Sequence, residues 1–500
     1  LKLIKETIMA LFFQRDATLQ VYPNKADGTF PAQSQAFAIP MLEGFSFSQT
    51  TNSSEITLSE MESTVGSSRR GRKMFNDSLA PVEWSFSTYL RPYIASNNVR
   101  PGTSTTYSYG DSKVHLVDEV LWNALLAKSR LDEATSSQSV ASVVINSGGT
   151  GYTVGDALTF TGGTLATGGA HATARVQSIS GGGATGPVTA IDILTGGNYT
   201  SAPTGVTDVG SGSGLTLTSV ALGESEDSLI ERDGTLAIFS SASSNKSALN
   251  TLTMEFMVGT NVGYKLNKAV CNSATINFDV EGIATVEWSG MAATVDTITA
   301  FTTTNVTTPG GANAGKAINE GGTSADTENF IRNRLTAMSV APKTSGTSAG
   351  VSGMQSSYDL TVTGGSITIE NNISYLTPEE LGVVNKPIEH VTGVRNVGGS
   401  FTCYLATSSS NNGSKDFYED LTSAAALDVI THDFEMIFKI GGSSGSPRVE
   451  FKMPQCHVEV PSHSIEDVIS LESTFTSLQS DMESNEPDDL EITAYGVALS

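Results

Sequence analysis

Trp84-Ser85-Phe86-Ser87-Thr88-Tyr89-Leu90 has a counterpart in Gly399-Ser400-Phe401-Thr402-Cys403-Tyr404-Leu405. Both stretches alternate apolar with hydroxyl-bearing side chains, the period-two pattern of a strand buried on one face and wet on the other. Further segments recur around this pair in the same order. Leu19-Gln20-Val21-Tyr22 precedes it as Thr336-Ala337-Met338-Ser339-Val340 does, and Gly44-Phe45-Ser46-Phe47 as Gly365-Ser366-Ile367-Thr368-Ile369 does. Leu252-Thr253-Met254-Glu255-Phe256-Met257-Val258-Gly259 follows it as Phe434-Glu435-Met436-Ile437-Phe438-Lys439-Ile440-Gly441 does. Cys271 then matches Cys456, and Gly282-Ile283-Ala284-Thr285-Val286-Glu287 matches Asp467-Val468-Ile469-Ser470-Leu471-Glu472. One such match means little in a Ser/Thr-rich β protein; six in order read as a duplicated β unit.

The first unit is expected to occupy residues 9–135 and 223–300, and the second 335–500. Residues 301–334, rich in Thr, Gly, Asn and Ala without periodicity, read as a linker between them. In the first unit a long polar segment, 49–80, separates two strands and is too long for a hairpin turn. A helix is expected over 117–131, capped by Asp111 or Ser112, and another over 416–427, capped by Ser414. Residues 136–222 interrupt the first unit and have no equivalent in the second. They carry their own repeat: Val143-Val144-Ile145-Asn146-Ser147-Gly148-Gly149-Thr150-Gly151-Tyr152-Thr153 resembles Ala190-Ile191-Asp192-Ile193-Leu194-Thr195-Gly196-Gly197-Asn198-Tyr199-Thr200. Glycine doublets after β runs supply tight turns, so a small β module looped out at a surface tip is expected.

The 500 residues are 38% hydrophobic and only 16% charged, a composition that favours many short strands over helical bundles. The net charge of −24 makes the chain a poor direct binder of nucleic acid, because affinity for phosphate comes from Lys and Arg. Cys271, Cys403 and Cys456 form no even disulfide framework and read as small buried residues in a reducing compartment. No apolar run is long enough for a membrane-spanning helix. The first thirteen residues lack the apolar core and cleavage site of a signal peptide. Met9 is the expected start, with the preceding residues read as upstream sequence.

No catalytic constellation stands out. Cys456, His457 and His463 are the nearest approach to a metal set. Neighbours on a strand face opposite sides, and no fourth ligand stands at zinc spacing. Gly149-Thr150-Gly151 with Gly155 lacks the Lys-Ser/Thr and the strand–helix setting of a phosphate loop. The densest basic cluster is Arg69-Arg70-Gly71-Arg72-Lys73, inside the first long segment. It reads either as a solvated loop tip or as an arm that docks on the acidic body of another copy.

The order of elements resembles the bacteriophage tail tube (major tail) proteins. In the first unit it runs strand 45–48, loop 49–80, strand 82–90, helix 117–131, strand 252–258, then strands to Trp288. The second unit repeats it through strand 367–369, loop 370–399, strand 400–405, helix 416–427 and strands to Phe475. The resemblance covers most of the chain outside 136–222 and 301–334. It implies a mainly β fold of two tandem tube-like β-sandwich domains, each with one flanking helix, plus the inserted Gly-rich module. It also implies a structural virion protein of the tail, neither enzyme nor cofactor-dependent, assembled in the host cytoplasm. Duplicated tube domains imply trimeric rings stacked into a tube for genome ejection. Tail terminator, tape measure and baseplate or tail-tip proteins are the implied partners, with DNA passing unread and no membrane involved. The long loops would clamp ring to ring, with Arg69, Arg70, Arg72 and Lys73 as a contact between chains or rings. Alternation places Trp84, Phe86, Thr88 and Leu90, with Phe401, Cys403 and Leu405, in the core. Ala284, Val286 and Trp288, with Ile469 and Leu471, join them. Glu83, Glu287 and Glu472 then face the lumen. Other readings are a β-modular adhesin, which lacks a trimerising coiled coil or aromatic patch, and a polysaccharide-degrading enzyme, whose acids are not seen to cluster with sugar platforms.

Overall fold

Alternating strands dominate the computed structural model. It describes residues 17–24, 37–55, 73–94, 114–126, 138–165, 171–181, 185–195, 197, 199–208, 212–224, 229–232, 235–239, 249–259, 261–302, 330–342, 355–381, 385–408, 412–422, 434–442, 444, 447–465, 468–479 and 489–498. The chain begins with β1 (Ala17–Pro23), β2 (Phe37–Ile39), β3 (Ser46–Ser48), β4 (Thr51–Glu55) and β5 (Met74–Leu79). β6 (Val82–Tyr89), β7 (Pro92–Ile94), β8 (Val114–Leu116) and helix α1 (Glu119–Leu126) follow. The insertion holds β9 (Gln138–Thr150), β10 (Ala157–Thr161), β11 (Thr164–Leu165), β12 (Thr173–Ile179), β13 (Val188–Thr195), β14 (Tyr199–Ser201), β15 (Gly205–Asp208) and β16 (Ser213–Glu224). The chain then forms β17 (Leu229–Arg232), β18 (Thr235–Phe239), β19 (Leu252–Val258), β20 (Gly263–Asp279), β21 (Thr285–Ala292) and β22 (Thr294–Ile298). The second half opens with β23 (Ala337–Pro342), β24 (Tyr358–Leu360), β25 (Val362–Glu370), β26 (Ser374–Leu376), β27 (Glu389–Val391), β28 (Asn396–Tyr404) and helix α2 (Ser414–Thr422). It closes with β29 (Phe434–Ile440), β30 (Arg448–Val458), β31 (Ser462–Ile465), β32 (Ile469–Ser477), β33 (Glu491–Tyr495) and β34 (Val497–Ala498).

The pairing pattern of the first half recurs in the second. Antiparallel partners run β2–β1–β19–β20–β21–β6–β3 in one and β24–β23–β29–β30–β32–β28–β25 in the other. Each helix falls at the same place in the chain, after β6 or β28 and before β19 or β29. β20 is long enough to serve two sheets. Its first part pairs with β19 and β22, and its last part with β21 and β25. Lys268, at φ 51, marks the change of sheet. β30 and β31 together take this part in the second half, with Pro461 between them.

Side chains on one face of these sheets fill the core. Trp84, Phe86, Thr88, Leu90, Ala284, Val286 and Trp288 are buried, as are Phe401, Cys403 and Leu471, and Leu405 packs against them. Gly290 makes room for an aromatic neighbour: a Cβ there would lie 2.4 Å from the Trp84 ring. Ile469, expected in the core, is instead 39% exposed. It sits at the end of β32, opposite Ile465, where no element of the same chain covers it among the described residues. The ladder also offsets the cysteines. Cys456 lies opposite Phe434 as Ala269 lies opposite Leu252, so Cys456 and Cys271 are not register-equivalent.

The helix starts differ from expectation. Asp118, whose carbonyl accepts from the Trp122 amide, is the cap of α1. Asp111 and Ser112 lie outside the described residues. In α2 the Phe417 amide donates to the Gly413 carbonyl, and Asp416 Oδ2 accepts from the Gly413 amide at 3.0 Å. Gly413 is therefore the cap, with Asp416 reaching back as in a capping box. Ser414 Oγ donates instead to the Tyr404 carbonyl at 2.6 Å.

The two halves are knitted together. Seven residue pairs join β20 to β25, β18 pairs with β33, and β34 lies parallel to β7. β17 and β18, which the sequence places in the first unit, thus extend the sheet of the second half through β33. The described end of the expected linker is structured too. Ile331 is buried, and its carbonyl accepts from the Ala284 amide at 3.0 Å. The insertion encloses its own cluster around Phe160, Val176 and Tyr199 between sheets β13–β12–β10–β15 and β11–β14–β9–β16. The first residue of β9, Gln138, and the last of β16, Glu224, are paired directly across the ladder.

Candidate lumen face and assembly surfaces

One sheet crosses the whole molecule in the order β3–β6–β21–β20–β25–β28–β32–β31. Every step is antiparallel, and away from the register shifts at Cys271/Ser273 and Val362/Gly364 residues of one parity share a face across the sheet. The file Ser87, Glu287, Thr275, Thr368, Gly398 and Thr476 runs straight across six strands. Next to it runs Ser85, Ser289, Ser273, Glu370 and Asn396. Hydroxyls pair across the ladder, Ser46 with Ser85 at 2.9 Å and Ser273 with Ser289 at 2.7 Å.

Glu83, Glu287 and Glu472 all project from this polar face and are exposed. Asn277 Nδ2 donates to Glu287 Oε1 at 3.0 Å. Glu370 and Asp279, which sequence reasoning did not single out, have the same parity. Glu370 is the last residue of β25, where the sequence expectation begins a loop. At these positions the eight strands carry no Lys or Arg, so the face is acidic without counter-charge of its own.

Both ends of this sheet expose apolar groups. At one end stand two hairpins, β4–β5 and β26–β27. They meet where the Leu79 amide donates to the Asn385 carbonyl at 2.8 Å. Met74 and Phe75 of the first, and Leu376 and Val391 of the second, are exposed. At the other end are the β20–β21 and β31–β32 turns, with exposed Val280, Ile283, Ile465 and Val468. Lys73 precedes β5, exposed, with Nζ 5.7 Å from the centre of the Phe75 ring. Arg69, Arg70 and Arg72 lie outside the described residues.

Two polar nodes lie behind the sheet. Asp118 accepts from Thr88 Oγ1 at 2.8 Å and from Trp122 Nε1 at 3.1 Å, and Thr88 Oγ1 in turn accepts from Trp288 Nε1 at 3.0 Å. Desolvation pushes its carboxyl up to about 6 against those hydrogen bonds. Arg395 Nη2 donates to the Leu126 carbonyl at 2.7 Å, and Asn371 Nδ2 to the Leu125 carbonyl at 2.8 Å. The second half thus caps the C-terminus of the first half's helix. Among the described residues no three His, Cys, Asp or Glu side chains gather as a metal set. Cys456 is buried, while His463 packs edge-on against Tyr418 with centroids 4.5 Å apart.

No protein-family model matches the chain. The chain is similar to the tail tube protein pb6 of Escherichia phage T5, at 25% identity over 456 residues that cover 89% of this chain and 68% of the relative.

Proposed function

We propose, from the premise that this chain belongs to the phage tail tube proteins, that it is a duplicated tube subunit, three copies of which close a ring around the passing genome. As a structural protein of the virion tail it assembles with itself into a tube; the ring stoichiometry, the lumen face and the contacts are the proposal. Its two halves, with matching strand partners, each supply one sixth of the circumference. One observation carries the reading: a polar face eight strands wide, acidic and free of Lys and Arg. Facing inward, such a wall does not grip DNA, because phosphate binding requires cations that release condensed counterions.

Geometry supports three chains. Eight strands alone would close on a core filled by their own side chains. Eight strands from each of three chains, spaced about 4.8 Å and tilted about 40°, make a backbone cylinder roughly 48 Å across, wide enough for a duplex. Closure also satisfies the open edges of the sheet. Rings then stack head to tail, the open heterologous contact that generates a filament, with the hairpin end of one ring against the turn end of the next. Arg69, Arg70, Arg72 and Lys73 are assigned to that contact, and Glu83, Glu287 and Glu472 to the channel wall. Assembly takes place in the host cytoplasm, with tail terminator, tape measure and tail-tip proteins as partners at the ends and inside. Cryo-electron microscopy of tubes from the purified protein tests this. Three chains per ring with the 82–89 strand on the channel wall is the expected map; six chains per ring, or the polar face turned outward, refutes it.

A further inference from the structure

The sheet crossing the molecule contains one joint between halves, and that joint is a template for the next. β20 meets β25 with Ile276 opposite Ile367, Asn277 opposite Ser366 and Phe278 opposite Gly365. The outer edges of the same sheet are β3 and β31, each paired on one side only among the described residues. The ladders fix their equivalents, and they place Ser46 with Ser366, one residue away from the Ile367 of the sequence match. Ile276 lies opposite Val286, and His463 opposite Leu471. Ser366 lies opposite Ser400, and Ser46 opposite Ser85. β31 therefore corresponds to the end of β20, and β3 to the middle of β25.

Burial points the same way. Phe278 is 4% exposed, whereas Ile465 in the corresponding place is 79% exposed. Ile276 is buried and His463 is not. β31 thus carries, exposed apart from the His463–Tyr418 contact, the positions that in β20 are buried against the adjoining half.

We propose that successive chains join through β3 of one copy and β31 of the next, antiparallel, with Ser462 opposite Ser48, His463 opposite Phe47, Ser464 opposite Ser46 and Ile465 opposite Phe45. This rests on the ring reading above and gives it a register. The ring's two kinds of joint are built differently, and the difference concerns size. Inside the chain the large residue is Phe278, its ring tilted against that of Phe438 with centroids 5.5 Å apart, and its partner is Gly365. A Cβ at Gly365 would lie 2.9 Å from the Phe278 ring. At the outer edge the ring is already present on the receiving side. Phe45 lies 5.5 Å from Phe256, the residue that corresponds to Phe438. With Phe45 in that place, the incoming residue must be smaller than phenylalanine, and it is Ile465. The joint inside a chain and the joint between chains are therefore not interchangeable, which disfavours out-of-register closure.

Paired cysteines test the register in the full-length chain, whose native cysteines are all buried. Directly opposite residues in an antiparallel pair have Cα atoms about 4.5–5.5 Å apart, within disulfide reach, whereas a pair shifted by two residues lies about 7–8 Å apart and is beyond it. Ser46→Cys with Ser464→Cys should yield chain-to-chain disulfides on mild oxidation, and Ser48→Cys with Ser464→Cys should not. Bridging in the shifted pair alone overturns the register while leaving the ring intact. Rings seen by microscopy without bridging in either pair overturn the joint itself. If the unmodified protein forms no rings, the ring reading fails and this one with it. A size swap is the second arm. Ile465→Phe should abolish ring closure with an unchanged monomer, because the side chain is exposed there, and adding Phe45→Gly should restore it. Closure by Ile465→Phe alone refutes the size argument.

Discussion

Asp118 is the residue whose chemistry the fold alters most. Its folded pKa of about 6 lies above the ordinary 3.8, so the native state favours the protonated acid. The sign follows from linkage. The associated stability is fully present below about pH 4 and is lost as pH rises through about 6. Relative to Asp118→Asn, the wild-type protein is expected to lose up to about 3 kcal/mol between pH 4 and pH 7, measured by urea unfolding at each pH. Parallel curves for the two proteins would remove Asp118 from the account. Arg395 acts across the halves. Replacing it with Ala leaves the last carbonyls of α1 without their charged donor, at a cost of about 2–4 kcal/mol. The expected signature is faster amide exchange at the end of α1, in a half of the chain that does not contain the mutation. At the polar face, Glu83→Lys, Glu287→Lys and Glu472→Lys together should leave tubes intact and slow genome ejection. The effect should be greatest at low salt, because screening shortens to about 8 Å at physiological ionic strength. Unchanged ejection at low salt would remove these acids from the channel wall.

Among the elements, the insertion is the most separable. The ends of its strands β9 and β16, Gln138 and Glu224, are ladder partners, so a short Gly/Ser bridge can replace everything between them. It also has its own apolar cluster. A part-buried pair, Arg175 Nη2 to Glu491 Oε2 at 3.1 Å, ties it to the host. Deleting 138–224 should leave a folded, polymerising chain, and an insoluble or assembly-dead product would place the module within the tube wall. For the hairpin that follows Lys73 we propose the opposite case, a contact made outside its own chain. Reversing Arg69, Arg70 and Arg72 to Glu should weaken polymerisation with little change in monomer melting temperature, and normal tubes would return the cluster to a solvated loop tip.

For the whole molecule, covalent continuity between the halves is expected to matter less than the sheets that join them. β20–β25, β18–β33 and the Arg395 contact hold them together independently of the segment between 302 and 330. Chains split between Gly315 and Lys316 and co-expressed as two fragments should co-purify, and fragments that separate would show that the joints are weak. The split protein also distinguishes assembly from folding, because the β3 and β31 edges are untouched by the cut.

The sequence by itself determined the strands, the face each residue takes and the order in which segments repeat, because period-two alternation is a local property that a burial pattern imprints residue by residue. Trp84, Phe86 and Thr88 could be placed in the core, and Glu83, Glu287 and Glu472 opposite it, from spacing alone. The insertion was legible for the same reason, through its glycine doublets and its missing counterpart. Alternation says nothing about which strand lies alongside which, or where a sheet stops. Hence Ile469 was read as core although it stands at an uncovered sheet end, and β17 and β18 were assigned to the half they follow rather than the half they pair with. Ser414 looked like a cap because hydroxyls commonly are, but the backbone geometry gave the position to Gly413. The Asp118–Thr88–Trp288 node and the Arg395 cap join residues far apart in the chain, and only tertiary packing brings them together. The β20–β25 joint was likewise decided by the fold, since edge pairing is fixed by complementary side-chain size and register between distant segments, and no local pattern records that.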